Sequence, residues 1–458
     1  MENQNMSAYV QNDKSQETRE PHKSFWETNR TLIKSLLIGF LTLIMLIPAS
    51  FIKDLVWERE ERQQQVIAEV SNKWALSQTV KGPILAIPYW NNETQTDKSI
   101  LRVKRTMFLM PEQLNIKGKL NPEVRHRSIY DVTLYRSNLN IDGSFKPLDV
   151  TALGIPVENI IVSEIKILVG MDDVRGIEQD IKMNLNGTAA IMDAGIPANP
   201  HITKGLSKNV IWDLNSNLTF SFNLQLKGSG DLQFIPVGKT TTVNITSPWL
   251  HPSFEGKFIP SESASIDQNG FNATWNVLQI SSGIPSVLLD QNINLNESAF
   301  GVKLIQPTDG YAKTQRSVKY ALLFISLTFT IFFFIEVLQK KSIHPLQYLL
   351  VGLALCVFYT LLLSFTEYAG FNLSYFIASL ATITLIGLYV WGIFKSGKIA
   401  ISFTAAIAAL YGYIFVLIQL EDFALLFGSI GLFILLAVIM YYSRKIDWYG
   451  TLKPGSKK

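Results

Sequence analysis

Few residues in this chain have the type and spacing needed for chemistry. Three of its five histidines, His126, His201 and His251, are scattered between the apolar ends, with no His-Glu-x-x-His element and no paired-ligand spacing. Each reads as a surface or turn histidine. The adjacent acids Asp172 and Asp173 stand beside a Val-Gly strand end. They could meet a cation, but two neighbouring carboxylates without further oxygen donors read better as a turn or helix cap. No Gly-x-Ser-x-Gly elbow and no Gly-x4-Gly-Lys-Ser/Thr loop occurs. The single cysteine, Cys356, lies within an apolar run, which excludes an intramolecular disulfide and a cysteine metal cluster. The expectation is a non-enzymatic protein with no catalytic residues, no cofactor and no metal.

The elements that would have to position any site are dominated by apolar runs. Five follow one another in the last third: Tyr320–Leu338, Leu346–Phe365, Leu373–Phe394, Ile399–Leu420 and Phe423–Tyr442. Each approaches the roughly 20 residues a helix needs to cross a hydrocarbon core of about 30 Å. Backbone amides have no water to bond in lipid, and the runs are too long and continuous for barrel strands, so they read as helices. A sixth run, Ser35–Ile52, bracketed by Lys34 and Lys53, reads as an uncleaved signal anchor in which Pro48 kinks the helix. Residues 1–34 form a polar tail, too poor in large apolar groups to fold by themselves.

Asp54–Trp74 is rich in helix formers, with Val66, Val70 and Trp74 at spacings of four. It predicts a charged stalk with one narrow apolar stripe, packed on its own domain or paired with a partner helix. From Gly82 to Pro307 the pattern changes to short alternating runs rich in Val, Ile, Thr, Tyr and Phe, such as Ile84–Trp90, Ile129–Tyr135, Leu218–Leu226 and Thr240–Thr246. These are strands, enough for β-sandwich or barrel-like layers. Leu134–Pro147 and Ser247–Pro260 resemble each other faintly, which leaves an internal duplication open. Within the second stretch, Trp249 and Phe254 are candidate binding residues.

The fold class is therefore a polytopic α-helical membrane protein of six transmembrane helices, one N-terminal and five C-terminal. A large β-rich extracytoplasmic domain, residues 53–317, lies between the first and second helices, and the helix block spans 318–442. The domain carries 26 basic and 27 acidic residues, against 10 and 5 in residues 318–458, so nothing in it suggests nucleic acid. Loop charges orient the bundle. Lys340 and Lys341, then Lys395 and Lys398, then the tail from Arg444 and Lys445 alternate with loops bearing Glu367 and the pair Glu421–Asp422. Short basic loops stay in the cytoplasm, so both termini are expected inside and residues 53–317 outside. Trp391, Tyr441, Tyr442, Trp448 and Tyr449 read as interfacial anchors.

No ionisable residue is expected at mid-membrane: Glu336 and Lys319 sit near the ends of one helix, and the bundle reads as lacking buried charge. Gly387, Gly392, Gly412, Gly428 and Gly431 read as packing positions, and Thr360, Ser364, Ser379 and Thr384 as interhelical hydrogen-bond groups.

Several stretches resemble the CreD family of bacterial inner-membrane proteins: Phe300–Phe329, His344–Leu355, Tyr411–Ser429, the ending Arg444–Tyr449, and upstream ERQQQVIAEVSNKW, KGPILAIPY and RSIYDVTLYRS. The likeness runs from about Leu36 to Tyr449. It departs at His126–Ser128, where an Arg-Gly pair is expected before Ile-Tyr. The resemblance implies an inner-membrane protein whose production answers to envelope stress, with no catalytic residues to carry over. The partners implied are the lipid bilayer and an envelope protein or cell-wall component. Transport or lipid handling by the bundle, and stress sensing through a partner helix, are the rival readings.

Overall fold

The computed structural model describes residues 30–94, 100–150, 152–261, 264–289, 293–306, 310–420 and 423–444. Most of the polar N-terminal tail, Glu421–Asp422, and the basic tail from Lys445 with Trp448 and Tyr449 lie outside the described residues. Two compact units emerge, one holding the first apolar helix and everything described from Gly310 onward, the other residues 58–309.

The helical unit contains the six long apolar helices. The first run is divided into α1 (Arg30–Ile44) and α2 (Leu46–Trp74), so the expected anchor and the expected stalk share one helix with a break at Met45. Pro48 accounts for the break: it has no N–H to donate, and its ring crowds the carbonyl four residues back, that of Ile44. Met45 N still reaches Leu41 O at 3.0 Å and Ala49 N reaches Met45 O at 3.2 Å, so the chain kinks rather than stops. After a single helical turn, α3 (Gln279–Ser282), and the amphipathic α4 (Gly310–Lys319), the remaining spans are α5 (Ala321–Leu338), α6 (Pro345–Ala369), α7 (Phe371–Phe394), α8 (Gly397–Gln419) and α9 (Ala424–Ser443).

Glycine packing is selective. A Cβ on Gly387 would meet Thr404 at 2.6 Å and one on Gly431 would meet the Tyr413 hydroxyl at 1.9 Å, whereas Gly392, Gly412 and Gly428 have open space. A close approach to the first apolar run lies at a glycine not singled out in the sequence: a Cβ on Gly352 would lie 2.7 Å from Met45 Sδ. The hydroxyls of Thr360, Ser379 and Thr384 bond carbonyls of their own helices, at Val357, Phe376 and Leu380, rather than neighbouring helices.

The second unit is built from strands. In chain order they are β1 (Gln78–Thr94), β2 (Ile100–Leu109), β3 (Gln113–Arg127), β4 (Tyr130–Phe145), β5 (Lys166–Gly170), β6 (Lys182–Leu185), β7 (Thr188–Ile191), β8 (Asp193–Ala194) and β9 (Gly205–Asn209). Then follow β10 (Leu218–Ser229), β11 (Asp231–Phe234), β12 (Thr240–Ser247), β13 (Pro252–Gly256), β14 (Ser265–Asp267), β15 (Gly270–Leu278), β16 (Val287–Leu288) and β17 (Phe300–Leu304). One sheet runs β13-β17-β11-β1-β5-β9-β8 with β2 and β16 attached through β1; the other runs β14-β15-β12-β3-β4-β10-β6-β7. A single hydrophobic cluster draws on both, from Ile84 and Leu168 on one side to Ile116, Leu139, Leu224 and Trp275 on the other. The two layers therefore form a sandwich, as alternation predicts: in β10, Leu218, Phe220, Phe222, Leu224 and Leu226 are buried while Thr219, Ser221 and Asn223 are exposed. The duplication is not seen in the strand pattern. Gly143 lies inside β4, paired with Leu114 and Phe220, whereas Gly256 ends the edge strand β13 with φ 103°.

The C-terminal end of α2 is fixed to this sandwich by one carboxylate. Asp173 accepts from Leu76 N (3.0 Å), from Arg175 N (3.1 Å) and from the Arg175 guanidinium (2.7 Å), and the same guanidinium donates to Asn72 O at 2.7 Å. The pair Asp172–Asp173 is thus structural, Asp172 accepting from Lys81 at 2.8 Å. Trp74 lies beneath Arg125 (4.3 Å), Arg136 (4.7 Å) and Lys227 (5.0 Å), and Val66 is buried, so the apolar stripe packs on its own domain.

Arg175 and the backbone amides hold the Asp173 carboxyl down at about 2. A depressed folded pKa contributes stability that is complete above the unfolded value near 3.9 and is lost as pH falls toward 2. Asp173→Asn should lower the melting temperature at pH 7 and flatten its dependence below pH 4. Ser128, in the two-residue turn between β3 and β4, has φ 58°. Since L-residues with a Cβ are strained there, Ser128→Gly should stabilise the domain by about 0.5–1 kcal/mol, read by thermal unfolding.

Candidate functional site

Two places in the molecule break the rules that local sequence would follow. The first is in the helical unit. Glu336 is sixteenth of the 18 residues of α5, as its expected place near the helix end requires, but its side chain is buried. Its Oε1 accepts from the Lys34 ammonium of α1 and from Ile343 N (2.9 Å), and its Oε2 accepts from the Tyr348 hydroxyl of α6 (2.7 Å). Lys34 also donates to Ile343 O at 3.0 Å. The expectation of a bundle without buried charge is therefore overturned. Three donors around one carboxylate satisfy it and bring α1, α5 and α6 together.

Beside the pair lies an open groove of about 340 Å³ lined by Ile33, Lys34, Leu37, Ser342, Ile343, His344 and Pro345. At the same end, Lys341 donates to Ile393 O near the last turn of α7, where a cation meets unpaired carbonyls. Elsewhere in this unit Phe324, Phe358, Tyr375 and Tyr411 pack as a buried aromatic group. α9 has no buried residue and is held to α8 by Tyr413, whose hydroxyl donates to Phe427 O at 3.0 Å.

The second place is the outward face of the eight-stranded sheet. Strand register sets its polar side chains in three transverse rows. One passes through Asn276, Thr242, Asn115, Asp142, Ser221 and Asn184; the next through Thr274, Asn244, Lys117, Asn140 and Asn223; the third through Asn272, Thr246, Lys119, Asn138 and Gln225. The amides bond along the surface: Asn223 to Asn140 (2.8 Å), Asn244 to Thr274 (2.7 Å) and to Asn272 (2.9 Å), and Asn115 to Asp142 (3.0 Å). Asparagine is depleted in strands because its side chain competes for backbone bonds, yet it recurs here at strand-interior positions. At one end, beside β14 and β15, lies an open pocket of about 390 Å³ whose lining includes Lys119, Asn121, Thr246, Asp267, Asn269 and Asn272.

The residues singled out in the sequence are not gathered at either place. Trp249 is half-buried, its Nε1 donating to His251 O and Ile305 O, both at 3.1 Å. Phe254 stands edge-on to Phe271 (5.8 Å between centroids) and to Trp275 (5.7 Å), packed against the core. His126 meets Asp131 on the surface, and His201 Nδ1 lies 3.2 Å from Ile293 O. Among the described residues no group of three metal-capable side chains assembles. Glu336 was visible as a charge in an apolar run, but its partner lies 302 positions away.

A family model described as inner membrane protein CreD matches residues 30–449. The chain belongs to the CreD family. It is 33% identical over 425 residues to the inner membrane protein CreD of Escherichia coli (strain K12), covering 91% of this chain and 93% of that one. With six apolar spans, it is a multi-pass inner-membrane protein of that family.

The buried pair predicts an asymmetry between breaking and replacing. Glu336→Ala leaves the Lys34 ammonium without its counter-ion in an apolar setting and should cost about 3–5 kcal/mol. The double substitution Lys34→Met with Glu336→Gln removes both charges and keeps an acceptor for Ile343 N, and should recover at least half of that loss. Thermal unfolding in detergent checks this; a double variant no better than the single would contradict it.

Proposed function

We propose that this CreD-family protein is a non-enzymatic component of the cell envelope. Its helix bundle anchors a β-rich domain on the periplasmic side, where the domain binds another envelope component and contributes to envelope integrity or the envelope stress response. The observation that carries this reading is the asparagine-rich outward face, a large built surface whose residue choice opposes strand propensity without serving the core. The sidedness rests on the alternation of basic loops at Lys340–Lys341 and Lys395–Lys398 with the Glu367 loop, which puts both termini in the cytoplasm.

Trp249 and Phe254 enter the reading as a rim. The half-exposed Trp249 is proposed as a contact with the bound component, and Phe254 as the ring that seats its neighbouring strand. Phe254→Ala should therefore cost about 1–3 kcal/mol of stability, whereas Trp249→Ala should leave the protein inserted and weaken capture.

A second reading, lipid handling by the bundle, is favoured by one feature, the groove beside Lys34 with its apolar walls at Ile33 and Leu37. The two readings separate in one experiment. A photo-crosslinking side chain placed at Asn140 in living cells should trap a defined envelope component, while the same group at Leu37 should trap only lipid or nothing. Defined adducts from Leu37 and none from Asn140 would reverse the preference.

A further inference from the structure

We infer that the outward face of the eight-stranded sheet is a binding site for an N-acetylated glycan strand bearing carboxylates. This rests on the reading of the β-rich domain as an envelope-binding domain, and it names the ligand and the residues.

The chemistry of the face selects among polymers. Its three rows hold no aliphatic or aromatic side chain, so an amphipathic helix or an acyl chain would gain nothing from burial there. A nucleic acid would require a dense cationic surface. Here the rows carry two ammonium groups, Lys117 and Lys119, against one carboxylate, Asp142, which already accepts from Asn115 at 3.0 Å. What the face offers is amides. Each has two N–H donors and an oxygen with two lone pairs. Asn223 donates one N–H to Asn140 at 2.8 Å and the other to Asn138, which orients the three side chains along the surface and leaves the Asn223 carbonyl and the amide N–H groups of Asn138 and Asn140 for a ligand. An oriented field of exposed donors and acceptors matches a polymer of hydroxyl and acetamido groups, whose own donors and acceptors are equally dense.

Charge sets the second property of the ligand. Lys117 and Lys119 are neighbours on one side of β3, both exposed, and no ion pair is found for either among the described residues. They stand amid neutral amides, Lys117 between Asn244 and Asn140, Lys119 between Thr246 and Asn138. Two central cations on a neutral surface complement carboxylates spaced along an otherwise uncharged chain.

The open pocket of about 390 Å³ at the end of the third row supplies a terminus for such a strand. Lys119 and Asn272 reach it from the third row, Asn121 from the next position outward on β3, and Asp267 and Asn269 from β14 and the turn that follows it. The hydroxyl and acetamido groups at the edge of a pyranose ring match these polar side chains.

The test uses the full-length protein in lipid nanodiscs, titrated with two probes. One is a neutral N-acetylglucosamine pentamer, the other an oligosaccharide of alternating N-acetylglucosamine and N-acetylmuramic acid. Both should bind, the second more tightly, with the difference shrinking as salt rises. Asn140→Ala with Asn223→Ala should weaken both by about tenfold, as loss of two hydrogen bonds requires, with the melting temperature unchanged. Lys117→Ala with Lys119→Ala should abolish the preference for the muramic acid probe and leave the neutral one. Absence of binding by either probe, or binding untouched by both double variants, would overturn the glycan assignment. In that event a defined protein adduct from the Asn140 crosslinker would still uphold the envelope-binding reading, and no adduct would end both.

Discussion

A carboxylate buried in an apolar bundle must be neutralised and hydrogen-bonded, and the helical unit depends on how Glu336 meets that demand. Removing a charge from water is expensive in lipid, so the residue persists only where donors surround it. The donors come from three separate parts of the chain: the Lys34 ammonium of α1, the Ile343 amide of the loop, and the Tyr348 hydroxyl of α6. Apolar helices in lipid have no hydrophobic force driving them together, so a polar contact of this kind can fix which helix neighbours which. It gives the first helix a defined partner across the whole intervening domain. Close packing then reinforces the choice, with Gly352 admitting Met45 where a Cβ would collide at 2.7 Å.

The β-rich unit solves a related problem with a different carboxylate. The end of α2 presents orphan carbonyls, and its chain must turn directly into β1. Asp173 and Arg175 take up both demands, the arginine donating to Asn72 O while the aspartate receives Leu76 N. Around this junction the sandwich follows simple alternation. Its buried positions make one core from two sheets, and its outward positions are free to be chosen for another purpose. The choice fell on amides and threonines rather than the charged residues that commonly keep sheet surfaces soluble.

Much of this was legible in the residues themselves. The five C-terminal spans could be drawn to within about four residues because lipid demands length and continuity, and both are local. The strands at Leu218 and Thr240 showed period-two patterns, Ile84–Trp90 showed the continuous apolar run of a strand buried on both faces, and the departure from family pattern at Ser128 marked the turn where φ proves positive. The buried role of Glu336 was not legible, because Lys34 is 302 positions distant and only the packed bundle joins them. The asparagine rows were hidden for a similar reason: each strand shows one to three amides, and only the register across six strands aligns them. Trp249 and Phe254 stood out by residue type, whereas their packing depends on Phe271, Trp275 and Ile305 from distant strands.

The proposed reading of this CreD-family chain, an anchor carrying a receptor face, requires the asparagine rows and the basic loops to lie on opposite sides of the membrane. The native cysteine, Cys356, is buried in the bundle, so introduced thiols can be read against a quiet background. The most direct measurement is labelling with a membrane-impermeant maleimide in spheroplasts. Asn140→Cys should react in intact spheroplasts and Lys340→Cys only after lysis. Labelling of Lys340→Cys from outside, with Asn140→Cys protected until lysis, would contradict the account.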